Sequence, residues 1–206
     1  MDGSASRTGV SEEFTTIRAG AGNEFAGSDT FGALSMLNSA ITSGYFSHFR
    51  RGIMLFDTSS IGSNNIITSA IISTYGFSKP NSLGDTNITI VSSTPTSNTS
   101  LQNSDFSQLG TSSFASITYA NFSTTGYNDF TLDSSGITNI NKTGISKFGG
   151  RLEWDVSGTY EGNYTTNVST GFYIYFAEQT GTSQDPKLVV TYTLPANPKQ
   201  DVIWFD

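Results

Sequence analysis

The sequence predicts an all-β fold: an antiparallel β-sandwich in a single domain. Three observations carry that prediction. The 206 residues are 13% charged, 35% hydrophobic and 13% aromatic, with 21 Gly. A chain this rich in Ser, Thr, Asn and Gly is poor in interior helix formers and suits strands joined by polar turns. Short runs alternate apolar and polar residues with period two, broken by turn residues about every ten positions. No helix-length pattern separates the runs, which excludes the βαβ arrangement of a parallel sheet. The length is sufficient for a real core, since a chain of this size buries roughly 70% of its unfolded surface.

Residues 1–13 are small and polar and read as a flexible N-terminal arm. EFTTIRAG (13–20) predicts a short strand, and 31–43 either a helical turn or a strand. GYFSHFRRGIMLFD (44–57) is a strand, with Gly52, Met54 and Phe56 on one face and Ile53, Leu55 and Asp57 on the other. NIITSAIISTYG (65–76) sets Ile67, Ser69, Ile71, Ser73 and Tyr75 against Ile66, Thr68, Ala70, Ile72 and Thr74. TNITIVSS (86–93) follows, then a long loop over 92–113 with a helical turn around Leu101 and Phe106. FASITYANFS and YNDFTLD supply further strands.

One short helix is expected in 133–144, capped by Asp133 or Ser134, with Ile137 and Ile140 three apart and Gly144 as its stop. ISKFGGRLEWDV, GFYIYFAE and PKLVVTYT complete the strands; Gly149-Gly150 reads as a bulge. The sandwich domain therefore spans 14–193, with Phe56, Ile71, Ile90, Phe130, Leu152, Ile174, Leu188 and Val190 in its core. Residues 194–206 form a Pro-containing linker and an apolar tail. Val202, Ile203, Trp204 and Phe205 in that tail read as an assembly arm, docking on another molecule or on the chain's own sheet.

Charge and composition exclude several functions. A net charge of -7 and no basic cluster argue against nucleic acid and against anionic membrane surfaces. No apolar run is long enough to span a bilayer, and the opening residues show no secretory signal pattern. The chain has no Cys, hence no disulfide, thiolate metal site or thiol nucleophile. Its Asn-X-Ser/Thr sequons at Asn87, Asn98, Asn121, Asn141, Asn163 and Asn167 are near the number that chance gives in so Ser/Thr-rich a sequence.

Catalytic groups are scarce. His48 is the single histidine, lies in an alternating run and lacks a nucleophile elbow, so a structural role is expected. Glu153 and Asp155 flank Trp154 and read as the solvent side of an edge strand, with Arg151 as counter-charge; the alternative is an acid pair in a sugar groove. Asp57 reads as a turn-capping carboxylate. No metal motif is present; calcium, if bound, would use Asp185 and Glu178. Tyr160 and Tyr164 on the turn-rich insert 155–171, with Trp154, are the candidate ligand-binding rings. No catalytic residue is assigned, and no enzymatic activity is expected.

RGIMLFDTSSI (51–61), ITSAIISTYG (67–76), DFTLDSSGITNINKTGISKFGGRLEWD (129–155) and FAEQTGTSQDPKLVVTYT (176–193) occur in an order that resembles the DNRLRE-type β-sandwich family. The resemblance extends over about 45–193 and implies a jelly-roll-like sandwich. Relatives of that type include carbohydrate-binding modules, domains of large surface proteins and stand-alone phage proteins. It implies a non-catalytic phage virion structural protein, a head decoration or tail-associated subunit. Such a protein would be made in the host cytoplasm and would contact other virion proteins and copies of itself. The alternative is an extracellular carbohydrate-binding or adhesion module; its mark would be an exposed aromatic platform for glycans.

Overall fold

A computed structural model of the chain describes residues 1–194. Its strands are β1 (Asp2–Glu12), β2 (Glu24–Ala26), β3 (Phe31–Ser39), β4 (Phe46–Asp57), β5 (Ile66–Ser78), β6 (Ile88–Ser92), β7 (Ala115–Ile117), β8 (Tyr127–Thr131), β9 (Ile145–Leu152), β10 (Ser169–Tyr175) and β11 (Lys187–Thr193). Short helices α1 (Phe14–Ala19), α2 (Ser134–Thr138) and α3 (Glu153–Ser157) interrupt them. Among the described residues no helix is long and apolar enough to cross a membrane.

Every pairing is antiparallel. The hydrogen-bonded order is β11-β5-β10-β3-β4-β9-β6-β7; β1 joins β4 and β2, and β8 joins β5. Two long strands serve as corners. Residues 46–51 of β4 pair with β3 and 52–57 with β9, while β1 runs along the other edge. On β5, β8 and β11 flank the first part, and β10 takes over at Gly76 and Ser78. One ladder thus folds onto itself as a nearly barrel-like sandwich.

Glycine makes the β4 corner possible. A Cβ on Gly52 would meet the Leu34 carbonyl oxygen at 2.5 Å, and one on Gly150 would meet Leu34 Cδ1 at 2.5 Å. A Cβ on Gly149 would meet Leu109 Cδ2 at 2.4 Å. The Gly149-Gly150 pair is therefore flat sheet on which leucines lie, with unbroken register to β4 and β6, and not the bulge expected.

Ile90, Phe130, Leu152 and Ile174 are fully buried, as the alternation predicts. Phe56, Leu188 and Val190 pack against the core but are only partly buried. Ile71 is a correction: Ala70, Ile72 and Thr74 face inward on β5, and Ile71 is half-buried on the opposite side. Two equally apolar faces leave periodicity unable to choose between them.

The expected N-terminal arm is also corrected. Asp2 to Thr8 pair in continuous register with Met54 to His48, and Ala5 is fully buried. Small side chains let β1 lie between β4 and β2, and its stability comes from main-chain bonds that hydropathy does not register. EFTTIRAG contains a helix, not a strand: Phe14 and Ile17, three apart, both bury, and Arg18 in the last turn suits the negative helix end. The helix α2 is capped as expected, Asp133 accepting from the Gly136 N–H at 2.8 Å. A third helix, α3, was read as strand. The tail residues Val202, Ile203, Trp204 and Phe205 lie outside the described residues.

Candidate functional site

The alternation of β10 sends Phe172, Ile174 and Phe176 into the core and leaves Tyr173 and Tyr175 on the outer face. There they meet rings from three other strands. Phe31 of β3, which is 52% exposed, stands 5.2 Å from Phe77 of β5. Phe77 contacts Tyr175 at 5.0 Å and Tyr173 at 5.8 Å. Tyr75 contacts Tyr175 at 5.9 Å and Tyr127 of β8 at 5.3 Å. Six rings thus form one connected outer surface. The Tyr75 hydroxyl donates to the Thr125 carbonyl at 2.9 Å and that of Tyr127 to the Ser183 carbonyl at 2.9 Å, which fixes both rings. Lys187 Nζ lies 4.0 Å from the Tyr127 ring centre.

The same face continues with polar residues, several of them buried. Cross-strand partners share a face. On β4, His48 pairs with Thr8 and Asn38, and Arg50 with Ser6 and Met36. The Tyr173 hydroxyl donates to the Met36 sulfur, which joins the polar and aromatic halves. Burial raises the Tyr173 hydroxyl above its ordinary range, and the Arg50 charge acts the other way. Arg50 makes no ion pair among the described residues, and its Nε has no hydrogen-bond partner there. It borders a 270 Å³ polar cavity lined by Ser4, Ser6, Glu24 and Asp29. Fixed flat rings beside an uncommitted guanidinium can stack on a ligand and bond its polar edge at small entropic cost.

The rings singled out from sequence lie elsewhere and turn inward. Trp154 is buried, 4.8 Å from Tyr160. Tyr160 also meets Phe14 at 5.5 Å and Phe46 at 5.0 Å, and burial pushes its hydroxyl up to about 12. The Tyr164 hydroxyl reaches the carbonyls of Ala40 at 2.9 Å and Tyr45 at 3.0 Å. Tyr164 pins the 155–171 insert to the 40–45 turn and Tyr160 packs it on Phe14, Phe46 and Trp154, so the expected exposed stacking loop is corrected.

The carboxylate pair is corrected as well. Glu153 and Asp155 belong to α3, where Gly158 at φ +80 ends the turn. The turn drives Asp155 into the interior, between Arg51 at 2.7 Å and Arg151 at 2.7 Å, with Arg18 at 3.3 Å. Glu153 instead accepts from the Thr89 hydroxyl at 2.7 Å. Asp57 behaves as expected, taking the Ser59 N–H at 3.0 Å and hydroxyl at 2.6 Å, which holds it below the usual carboxylate range. Asp185 accepts from Gln179 Nε2 at 3.2 Å, and Glu178 is exposed. Among the described residues no three acidic, histidine or cysteine side chains gather to hold a metal ion, so geometry gives the calcium expectation no support.

The outer aromatic surface escaped the sequence reading because its rings are far apart in the chain. One signal was available: Tyr173 and Tyr175 occupy the positions that alternation opposes to Phe172, Ile174 and Phe176. In comparisons with known proteins, the chain matches no family model and no curated protein.

Proposed function

We propose that this chain is a non-catalytic carbohydrate-binding or adhesion module that takes hold of glycans with the outer face of its sandwich. The observation that carries this reading is the connected surface of Phe31, Tyr75, Phe77, Tyr127, Tyr173 and Tyr175, bordered by Arg50. Aromatic faces receive the C–H faces of sugar rings, while Arg50 bonds hydroxyls or carboxylates at the polar edge. A Phe77→Ala, Tyr175→Ala double variant should remain folded by circular dichroism and lose at least about tenfold in affinity on a glycan array, since stacking contacts are each worth about 1 kcal/mol. Unchanged binding by that variant overturns the reading.

A second reading, a structural protein of a phage virion, is favoured by the sheet edge at β11. Ile66, Val189, Tyr192 and Leu194 are exposed there, an apolar strip suited to neighbouring virion proteins or a second copy. Mass spectrometry of purified particles that finds the chain in fixed copy number supports this reading; absence from particles, with glycan binding as a monomer, excludes it.

A further inference from the structure

We propose that His48 is an acid-sensitive fastener of β1, holding that strand on β4 while its ring is neutral and releasing it when the ring is protonated. His48 Nδ1 lies 2.9 Å from the Thr8 hydroxyl oxygen, tying β4 to β1 by a side-chain bond. Its Nε2 is buried and has no partner among the described residues. Asn38 Oδ1, on the cross-strand neighbour, is likewise buried and makes no hydrogen bond to the ring or to any other described residue. A neutral ring fits this setting, with Nδ1 and the Thr8 hydroxyl satisfying each other. With the neutral ring's proton assigned to Nδ1 and donated to the Thr8 oxygen, protonation adds at Nε2 an N–H with no acceptor and a charge with little solvent.

The surrounding charges do not relieve that cost. Arg50, two residues along the same face, repels a second cation. From β1, Arg7 and Glu12 are committed to each other. From β2, Glu24 reaches Ser6 at 3.5 Å and not the ring. β3 carries no charged residue, and Tyr173 of β10 is neutral. Burial, and then Arg50, push the imidazole down to about 4. The unfolded ring titrates near 6.5, so the contribution is complete above that pH and is lost as pH falls toward 4.

Thr8 is where release acts. The β1 register on β4 is regular from Asp2 to Thr8 and irregular before Glu12. Among the described residues the Thr8 backbone is held on its other side by the Asn23 side chain alone, at 2.9 Å and 2.8 Å.

The test is hydrogen exchange of the full chain at pH 7.5 and 4.5, corrected for intrinsic rates, comparing β1 with β9. In the wild type the Ser6–Thr8 end of β1, away from the acid-relieved Asp2 at the other end, should lose at least about tenfold protection relative to β9 in acid, and His48→Gln should not. Because the chain has one histidine, its ring resonances give a second readout that needs no variant; they should titrate near 4 together with β1 opening. Unchanged β1 protection, an equal loss in His48→Gln, or a ring titrating near 6.5 with β1 still protected overturns the proposal.

Discussion

Arg50 and Arg51 are adjacent in sequence and opposite in fate. Arg51 is buried, and Asp155 takes its Nε at 2.7 Å and its Nη2 at 2.8 Å. The carbonyls of Phe106 and Arg18 take the remaining bonds at 2.7 Å and 2.9 Å, and the guanidinium lies 4.1 Å from the Phe106 ring centre. Arg50 faces out with no ion pair among the described residues. The period of two separates them, and the difference shows what burial of a charge demands: a partner of opposite sign and an acceptor for each N–H. The inner arginine ties β4 to α1, to α3 and to the turn that carries Phe106; the outer one is the group that the proposed function assigns to a ligand.

Breaking the inner half gives the largest expected effect. Asp155→Asn leaves Arg51 and Arg151 buried without their counter-charge and should cost about 3–5 kcal/mol in urea unfolding. The arginines hold the Asp155 carboxylate below its usual range. Its contribution is therefore present above the unfolded pKa, near 3.9, and is lost as pH falls below it. Wild type and Asp155→Asn should converge in stability only in strong acid; parallel profiles down to the lowest pH contradict the network.

The same contrast recurs two strands away, in Phe172 and Tyr173 of β10. Phe172 is fully buried and meets Phe122 at 4.9 Å, whereas Tyr173 is on the outer face. Phe172→Ala should cost about 3–5 kcal/mol. Tyr173→Ala should cost about 1 kcal/mol while weakening ligand binding. Equal stability losses would show that the outer rings serve the fold and not recognition.

Asp2 sharpens the rule from the opposite direction, as a buried charge that is incompletely partnered. Its Oδ2 accepts the Ala177 N–H at 3.0 Å, and its Oδ1 has no partner among the described residues. Burial, then Glu178, raise its carboxyl to about 6. A carboxyl raised in the folded state stabilises as pH falls through 6 toward its unfolded value. Asp2→Asn should therefore gain about 2–3 kcal/mol at pH 7.5, and the gain should vanish near pH 4. A variant less stable than wild type at pH 7.5 refutes this.

How much of this was legible in the sequence depended on which force decides each element. Strands with one apolar face, such as 171–178, were readable down to the orientation of single rings. β1 was not, because main-chain pairing and small side chains build it. The 153–155 segment was misread because one helical turn, closed by Gly158, replaces strand alternation and reverses the environment of Asp155. The candidate surface was legible in parts only: each strand contributes one or two rings, and their meeting is a property of strand order, which local pattern does not specify.

The smallest expected effect on stability, and the most discriminating, belongs to Arg50→Ala. Arg50 has no ion pair among the described residues, and its Nε bonds nothing there. Truncation removes no native bond at that atom, and surface changes of this kind stay within about 0.5 kcal/mol. It also removes the cation that depresses His48, so the ring should titrate higher in the variant. On the binding side, a guanidinium bonded to a ligand is worth about 1.5–3 kcal/mol, so Arg50→Ala should weaken glycan binding by roughly ten- to hundredfold. Arg50→Lys keeps the charge and loses the planar fork, and should recover only part of that. Full recovery by lysine would mean that charge alone is read. A loss of stability as large as that of Arg51→Ala would mean that the two neighbours do the same work, and that the outer face has no function separate from the fold.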